Sequence, residues 1–376
     1  MEFGSEQWGD LMLLDWRFDG FPGRVLWVDL TIGTVQAKEI PHQWLIESMG
    51  GKGLATRLLV EWDTTDYEAA MQLQHPVLDR VDVARHPTSP LLFMTGPYQA
   101  STVGSSGRAV VVTRSPLTDV YIDTYIGGNI GHVLRQAGWD GLFITGASEH
   151  LCRLEIVDGH AELHKATELQ GMTTWQVEQT LDGMGECLSI GPAGEHGVRI
   201  ASPLTAGRRA AGRGGTGAAF GFKNLKAVTV KSTTKEKVRF ASEASLKSAV
   251  KVQRQEMGLR RRSGDPFYAF GTSRGPIYAS ANGRMPTANY SSTNAMIPAF
   301  SELKVSGGQG GVVPSEGNAV TITTKLDAHE LSGEHWHESL PDAKQSACCA
   351  PCPIACEAAD LSLIHISEPT RLQDIS

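Results

Sequence analysis

The sequence predicts an α+β fold: an N-terminal domain of two related sheet-and-helix units, after which a mainly helical region begins. Three observations carry this. Short apolar runs of strand length alternate with helical stretches from Arg24 to Lys231. A glycine pair, a helix and a strand follow one another twice. Gly127-Gly128 leads to Asp140-Gly141-Leu142-Phe143-Ile144, and Gly214-Gly215 leads to Asn224-Leu225-Lys226-Ala227-Val228. Strand signals then end near Thr233–Arg239, and Ser242–Arg260 reads as one basic helix. The repeat has two readings, chance likeness of two α/β units or a duplicated unit that holds two copies of one ligand.

Each element has its own signal. Arg24–Asp29 and Val35–Ile40 alternate apolar and polar residues around Ile32-Gly33-Thr34, the pattern of a hairpin. Pro41 opens a helix over His42–Met49, Gly50-Gly51 ends it, and a second helix runs over about Leu54–Trp62. Thr64–Ser89 reads as a surface connection. Pro90–Thr95 and Arg108–Thr113 have the length and β-branching of buried strands. Gly127–Ala137 is predicted as a helix, Leu142–Thr145 as a strand and Leu151–Leu163 as a hairpin turned by Asp158-Gly159. A helix over Thr173–Leu181, strands over Cys187–Ile190 and Val198–Pro203, a helix over Gly214–Phe222 and a strand over Lys226–Lys231 complete the domain.

Composition narrows the function. The 376 residues are 41% hydrophobic and 20% charged, with net charge −7, as in ordinary globular proteins. The absence of a long Lys/Arg run argues against nucleic acid. No apolar stretch reaches the roughly 18 residues of a membrane helix, and Met1–Trp16 lacks a basic signal-peptide start. A cytoplasmic protein is expected. Of six cysteines, Cys348, Cys349, Cys352 and Cys356 crowd together, which points to metal rather than a disulfide scaffold. Cys152 and Cys187 stand on strand-like segments as small buried hydrophobes, and His335 and His337 read as surface histidines.

Two sets of residues carry chemistry. Cys349-Ala350-Pro351-Cys352-Pro353-Ile354-Ala355-Cys356 is a C-x2-C-x3-C, whose three thiolates suit one iron–sulfur cube. Zinc is the chemical rival, although zinc ribbons usually pair two C-x2-C knuckles. The second set is glycine-rich: Gly50–Gly53, Gly104–Arg108, Gly127–Gly131 and Arg208–Gly215. Backbone N–H groups in such loops, beside helix N-termini, bind phosphate, and arginine adds a bidentate fork. Several in one α/β domain suggest a large phosphorylated cofactor.

The order of these motifs resembles the aldehyde ferredoxin oxidoreductase family. Gly50-Gly51-Lys52-Gly53-Leu54-Ala55 comes first, then Thr95-Gly96-Pro97, Gly107-Arg108 with Val111–Thr118, and Gly127-Gly128 with Ala137–Gly141. Ile190–Glu195, Arg209–Gly215, Gly221–Ala227 and the cysteine motif follow, so that the resemblance covers about Gly23–Glu357. It implies a tungsten (or molybdenum) bis-pterin centre, a [4Fe-4S] cluster and magnesium bridging the pterin phosphates. It also implies an aldehyde substrate oxidised to a carboxylic acid, with electrons passed to ferredoxin or a similar acceptor. A homo-oligomer is compatible.

By resemblance, Arg108 sits between a pterin and the cluster. Gly127, Gly128, Arg209, Ala210, Gly212 and Arg213 line the pterins and their phosphates. Tyr125 and Ala210 fall where the family lends backbone carbonyls to magnesium; the family usually has asparagine at the first, so Tyr125 is a departure. Cys349, Cys352 and Cys356 match three of four cluster ligands. Rival readings are a family member on another substrate, such as aromatic acyl thioester reduction, and a zinc-knuckle binding module.

The expected organisation is an N-terminal extension over 1–22, a pterin-binding domain over 23–235 and the start of a helical domain with the cluster loop over 236–360. Residues 361–376 resemble a translated sequencing adapter, Leu361–Arg371 most closely. The expectation is therefore a reading frame interrupted near Asp360, with the fourth cluster ligand, the substrate pocket and the catalytic residues downstream, and a 376-residue chain that is inactive alone.

Overall fold

A computed structural model describes residues 20–62, 84–234 and 239–263, with short pieces at 279, 282–284, 344–346 and 357–359. The described residues up to Gln253 gather in one compact body.

That body holds two six-stranded sheets, one in each of two sheet-and-helix units. The first comprises β1 (Arg24–Asp29), β2 (Thr34–Glu39), β3 (Leu91–Met94), β4 (Ala109–Arg114), β5 (Tyr121–Ile126) and β6 (Gly141–Thr145), in the order β2-β1-β6-β3-β4-β5. The second comprises β7 (Cys152–Val157), β8 (His160–Lys165), β9 (Glu186–Ser189), β10 (Leu204–Thr205), β11 (Arg209–Ala210) and β12 (Leu225–Lys231), in the order β11-β10-β9-β12-β7-β8. Read from the hairpin end, these are one topology. In each sheet the opening hairpin is antiparallel, the first and last strands pair in parallel, and every other pairing is antiparallel. The repeat is a duplication of architecture.

The helices occupy matching places. α1 (His42–Ser48) and α2 (Gly51–Trp62) follow the first hairpin, and α3 (Ile130–Gln136) joins β5 to β6. α4 (Thr174–Thr180) and the short α5 (Pro192–Glu195) flank β9, α6 (Thr216–Phe222) joins β11 to β12, and α7 is Glu243–Arg262. Local sequence explains several ends. Thr173 and Gln176 form a reciprocal capping box at α4, and Pro192 takes the first position of α5, where its missing N–H costs nothing.

Strand alternation distributes the core, since successive side chains point to opposite faces. Leu26, Val28, Phe93, Val111, Leu142 and Ile144 of the first sheet share one core with Leu154, Ile156, Leu188, Val228 and Val230 of the second. Val25, Leu92, Met94, Val110, Val112 and Phe143 face the other way, against Leu45, Leu54 and Leu58 of α1 and α2. Val177 and Leu181 cover Cys187 and Ala227 on the second sheet.

Some expectations need correction. Val198–Pro203 is turn and loop, not strand; the strand begins at Leu204. The backbone there serves α6, because Gly217 N–H donates to the Ala201 carbonyl at 2.9 Å. The helices expected from Gly127 and Gly214 begin at Ile130 and Thr216, after glycine turns. β5 and the β10–β11 pair were not expected at all. Among the described residues, no helix is long and apolar enough to cross a membrane.

Candidate functional site

The register of the two sheets fixes a correspondence between residues far apart in sequence. One rung of the first sheet runs Val25, Gly141, Met94, Val110, Tyr125. The matching rung of the second runs Arg153, Ala227, Ser189, Leu204, Ala210. Tyr125 and Ala210 therefore hold equivalent positions in the two units, and β11 lies beside β5. Two residues beyond each comes a glycine, Gly127 and Gly212, in the turn that leads to the unit's helix.

The turns interlock reciprocally. A Cβ placed on Gly128 would lie 3.3 Å from Thr205 Cγ2 and 3.6 Å from Arg209 Cγ, on the β10–β11 hairpin. In the other direction, the Gly214 carbonyl accepts a hydrogen bond from Ser115 Oγ at 2.7 Å, in the turn between β4 and β5. Each unit's glycine turn rests on the other unit's last hairpin. Tyr125 is 47% exposed, Gly212 and Arg213 are exposed, and Arg209 and Ala210 are partly covered.

Arg108 joins this group through β4. It is exposed and precedes Ala109, which pairs with Ile126 next to Gly127. Its loop is held from inside by Gln99, a fully buried residue. Gln99 Oε1 accepts the Gly96 N–H at 2.7 Å, and Gln99 Nε2 donates to the Gly107 carbonyl at 3.1 Å. His132 of α3 accepts the Ala100 N–H on Nδ1 at 3.1 Å. Burial pushes the His132 pKa below its ordinary value, which favours the neutral ring that can accept this bond. Gln99 and His132 had no signal in the sequence, because their roles depend on contacts with Gly107 and Ala100 that no local pattern encodes.

The structure thus gathers Tyr125, Gly127, Gly128, Arg209 and Ala210, with Gly212 and Arg213 adjoining by chain and Arg108 by the β4–β5 ladder. Neither the Tyr125–Gly131 nor the Arg208–Gly215 segment carries a carboxylate. Nearby acids are already engaged: Asp123 pairs with Lys52 at 2.8 Å, Glu178 accepts the Gly207 N–H at 3.1 Å and Glu186 accepts from Asn129 of the first turn at 3.1 Å. Glycine turns with arginine, their neighbouring acids already hydrogen-bonded or ion-paired, are suited to an anion.

Cys349, Cys352 and Cys356 lie outside the described residues. Their flanks do not: β13 (Lys344–Ser346) and β14 (Glu357–Ala359) pair antiparallel with Ser346 opposite Glu357, and the cysteines fall between them in sequence. Among the described residues no group of three His, Cys, Asp or Glu could hold a metal. Cys152 and Cys187 are buried, with thiol pKa values pushed up by burial to about 11 and about 12. They fit the inert role expected of them.

The fold and these paired turns define a class: a duplicated α+β domain in which each unit presents a glycine turn beside the other's last hairpin. Residues 25–232 match the family described as "Aldehyde ferredoxin oxidoreductase, N-terminal domain", and the chain belongs to that family. It is 31% identical over 277 residues to the tungsten-containing aldehyde ferredoxin oxidoreductase of Pyrococcus abyssi, covering 72% of this chain and 43% of that protein. It is 30% identical over 230 residues to the aliphatic sulfonate oxidoreductase, WOR-like subunit, of Pyrococcus furiosus, covering 57% of this chain and 35% of that one. The chain spans less than half the length of these relatives. A solved structure of the active site complex BamBC of benzoyl coenzyme A reductase in complex with 1,5-dienoyl-CoA shares the fold. Its TM-score is 0.65 at 21% identity, over 90% of this chain and 47% of that one.

Proposed function

We propose that this domain is the base of a tungsten (or molybdenum) bis-pterin oxidoreductase, with each unit contributing one turn to a pair of phosphate-bearing pterins. The observation that carries the reading is the equivalence of Tyr125 and Ala210 on matching rungs. A cofactor made of two like halves, bridged by one magnesium, calls for two like backbone carbonyls, and duplication supplies them. Only the backbone is used, so tyrosine in place of asparagine at 125 is compatible with the role.

The residues fit the group. Gly127, Gly128 and Gly212 would offer backbone N–H groups to it, and Arg209 and Arg213 would hold phosphate oxygens. Arg108 would sit between a pterin and a cluster held by Cys349, Cys352 and Cys356, where a guanidinium offers several fixed hydrogen bonds. When bound, the metal–pterin supplies the two-electron redox chemistry. The protein's part is to orient it and to fix donors at its edge.

By analogy with the aldehyde ferredoxin oxidoreductases among its relatives, the substrate is a small aldehyde and the electron acceptor a ferredoxin. The sulfonate relative makes substrate the most variable part of this reading.

The test is anaerobic purification of the full-length protein after tungstate-supplemented expression, with tungsten, molybdenum, iron, acid-labile sulfide, zinc and released pterin quantified. Two pterins per tungsten or molybdenum, reduced by Arg209→Ala with Arg213→Ala, are expected. Stoichiometric zinc without pterin or sulfide would overturn the reading and favour a zinc-knuckle module. Aldehyde-dependent dye reduction, set against sulfonates and acyl thioesters, tests the substrate class.

A further inference from the structure

The loop Gly96–Gly107 turns the chain from β3 back to β4 and delivers Arg108 to the site. It contains two non-glycine residues in the left-handed region, Ala100 at φ 62° and Ser105 at φ 65°. Each such residue costs roughly 1–2 kcal/mol, so the shape persists only if other contacts hold it. Several of its amides are engaged within the loop. Gln99 N–H donates to the Gly96 carbonyl, Ser101 N–H to the Tyr98 carbonyl, and Val103 N–H to Ser101 Oγ, at 3.2–3.3 Å. Gln253 of α7 accepts the Gly104 N–H at 2.9 Å. The amide of the strained Ala100 also leaves the loop, and it reaches the His132 ring on α3.

We propose that His132 is a positioning residue for Arg108, holding the Gly96–Gly107 loop in its strained form by accepting the Ala100 amide on Nδ1. The proposal rests on the reading that Arg108 faces the cofactor. α3 is suited to the task because the Gly127-Gly128 turn immediately precedes it. Gly131, beside His132, also lets Gln99 pack against the helix, since a Cβ there would collide with the Gln99 amide and lie 2.8 Å from Ala109 Cβ. One short helix thus fixes both the pterin turn and the arginine loop. The second unit lacks this device: Ala218 follows Gly217, the glycine of α6 that packs on its own strand connection, and is fully buried.

Shape and hydrogen bonding make different demands. If His132 only fills space, a leucine of similar bulk will serve. If it holds the Ala100 amide, asparagine will serve, since its side-chain oxygen occupies the place of Nδ1, and leucine will not.

The experiment is hydrogen exchange with peptide-level readout on the full chain as wild type, His132→Leu and His132→Asn, comparing residues 98–107 with residues 110–113 of β4 in the same molecule. It needs no bound cofactor, so a failed cofactor reading and a failed loop reading remain distinguishable. His132→Leu should accelerate exchange in the loop at least tenfold while β4 is unchanged, and His132→Asn should restore most of the protection. Unchanged loop exchange in His132→Leu, equal loss in loop and β4, or no rescue by asparagine would each overturn the proposal.

Discussion

The two units share every strand pairing, yet they differ in the length of the last hairpin. β4 and β5 run six residues each, whereas β10 and β11 run two each. The hairpin that carries Arg209 is therefore a small projection, and the one that carries Tyr125 is a full wall. Their equivalence survives because it is set by register, which the outer strands and the shared core fix independently of hairpin length. The same position also carries a buried ion pair in each unit with the signs reversed. Asp140 precedes Gly141 of the shared rung and pairs with Arg135, and Lys226 precedes Ala227 and pairs with Glu195.

The reversal predicts unequal fragility. Arg135 and Asp140 are essentially without exposure, and Asp140 also accepts the Gly23 and Arg24 amides at 2.6 and 3.0 Å. Asp140→Asn would strand a guanidinium that cannot shed its proton, at a cost of about 3–5 kcal/mol. Glu195→Gln should cost less, about 2 kcal/mol, because burial already pulls the Lys226 pKa down and the amine can neutralise itself. Its cost should shrink as pH rises. Equal losses for the two variants in urea unfolding at pH 7 would break the comparison.

The glycine at the second position of each connecting helix sharpens it. A Cβ on Gly217 would lie 2.7 Å from both Ala201 C and Ser202 N, which are backbone atoms with no room to move. At Gly131 the obstacles are side chains, those of Gln99 and Ala109. Gly217→Ala should therefore cost about 3 kcal/mol and Gly131→Ala about 1–2 kcal/mol, read from unfolding midpoints. The milder variant should also loosen the Arg108 loop, since Gln99 must give way.

What was legible in the sequence follows the same physics. The opening hairpins, α2, β6 and β12 carry continuous or alternating apolar patterns whose cause is local burial, and they stand where expected. β5 was missed although Ile122, Thr124 and Ile126 alternate with Tyr121, Asp123 and Tyr125, because its polar face reads as loop until α2 is seen beside it. Thr56 Oγ1 lies 2.9 Å from the Tyr121 hydroxyl, and Lys52 takes up Asp123. β10 and β11 are too short to show any period. Val198–Pro203 misled through β-branched residues that sit in a turn beneath α6. The glycine–arginine turns were visible as motifs, but their pairing across the units was not, since ladder register is a property of the assembled sheets.

Reciprocal tethers between the units give the smallest and most specific test. Trp139 Nε1 of the first unit donates to the Asp158 carbonyl of the second at 3.0 Å. Lys223 of the second returns the contact, donating to the Gly146 and Pro87 carbonyls at 3.1 and 3.0 Å. The indole is neutral at every pH, but the amine is not. Burial lowers the Lys223 pKa from 10.5 to about 7, against a weaker opposing pull from Asp29. Between those values the unfolded chain holds more protons than the folded one, so stability contributed at this site rises with pH. Below about 7 both states are charged, above about 10.5 both are neutral, and the slope vanishes. Chemical unfolding at pH 7 and pH 9 should show wild type gaining about 1–2 kcal/mol relative to Lys223→Met over that interval. Trp139→Phe, which removes the opposite tether, should lose stability equally at both values. A wild-type advantage that stays constant with pH would mean that Lys223 keeps its proton throughout.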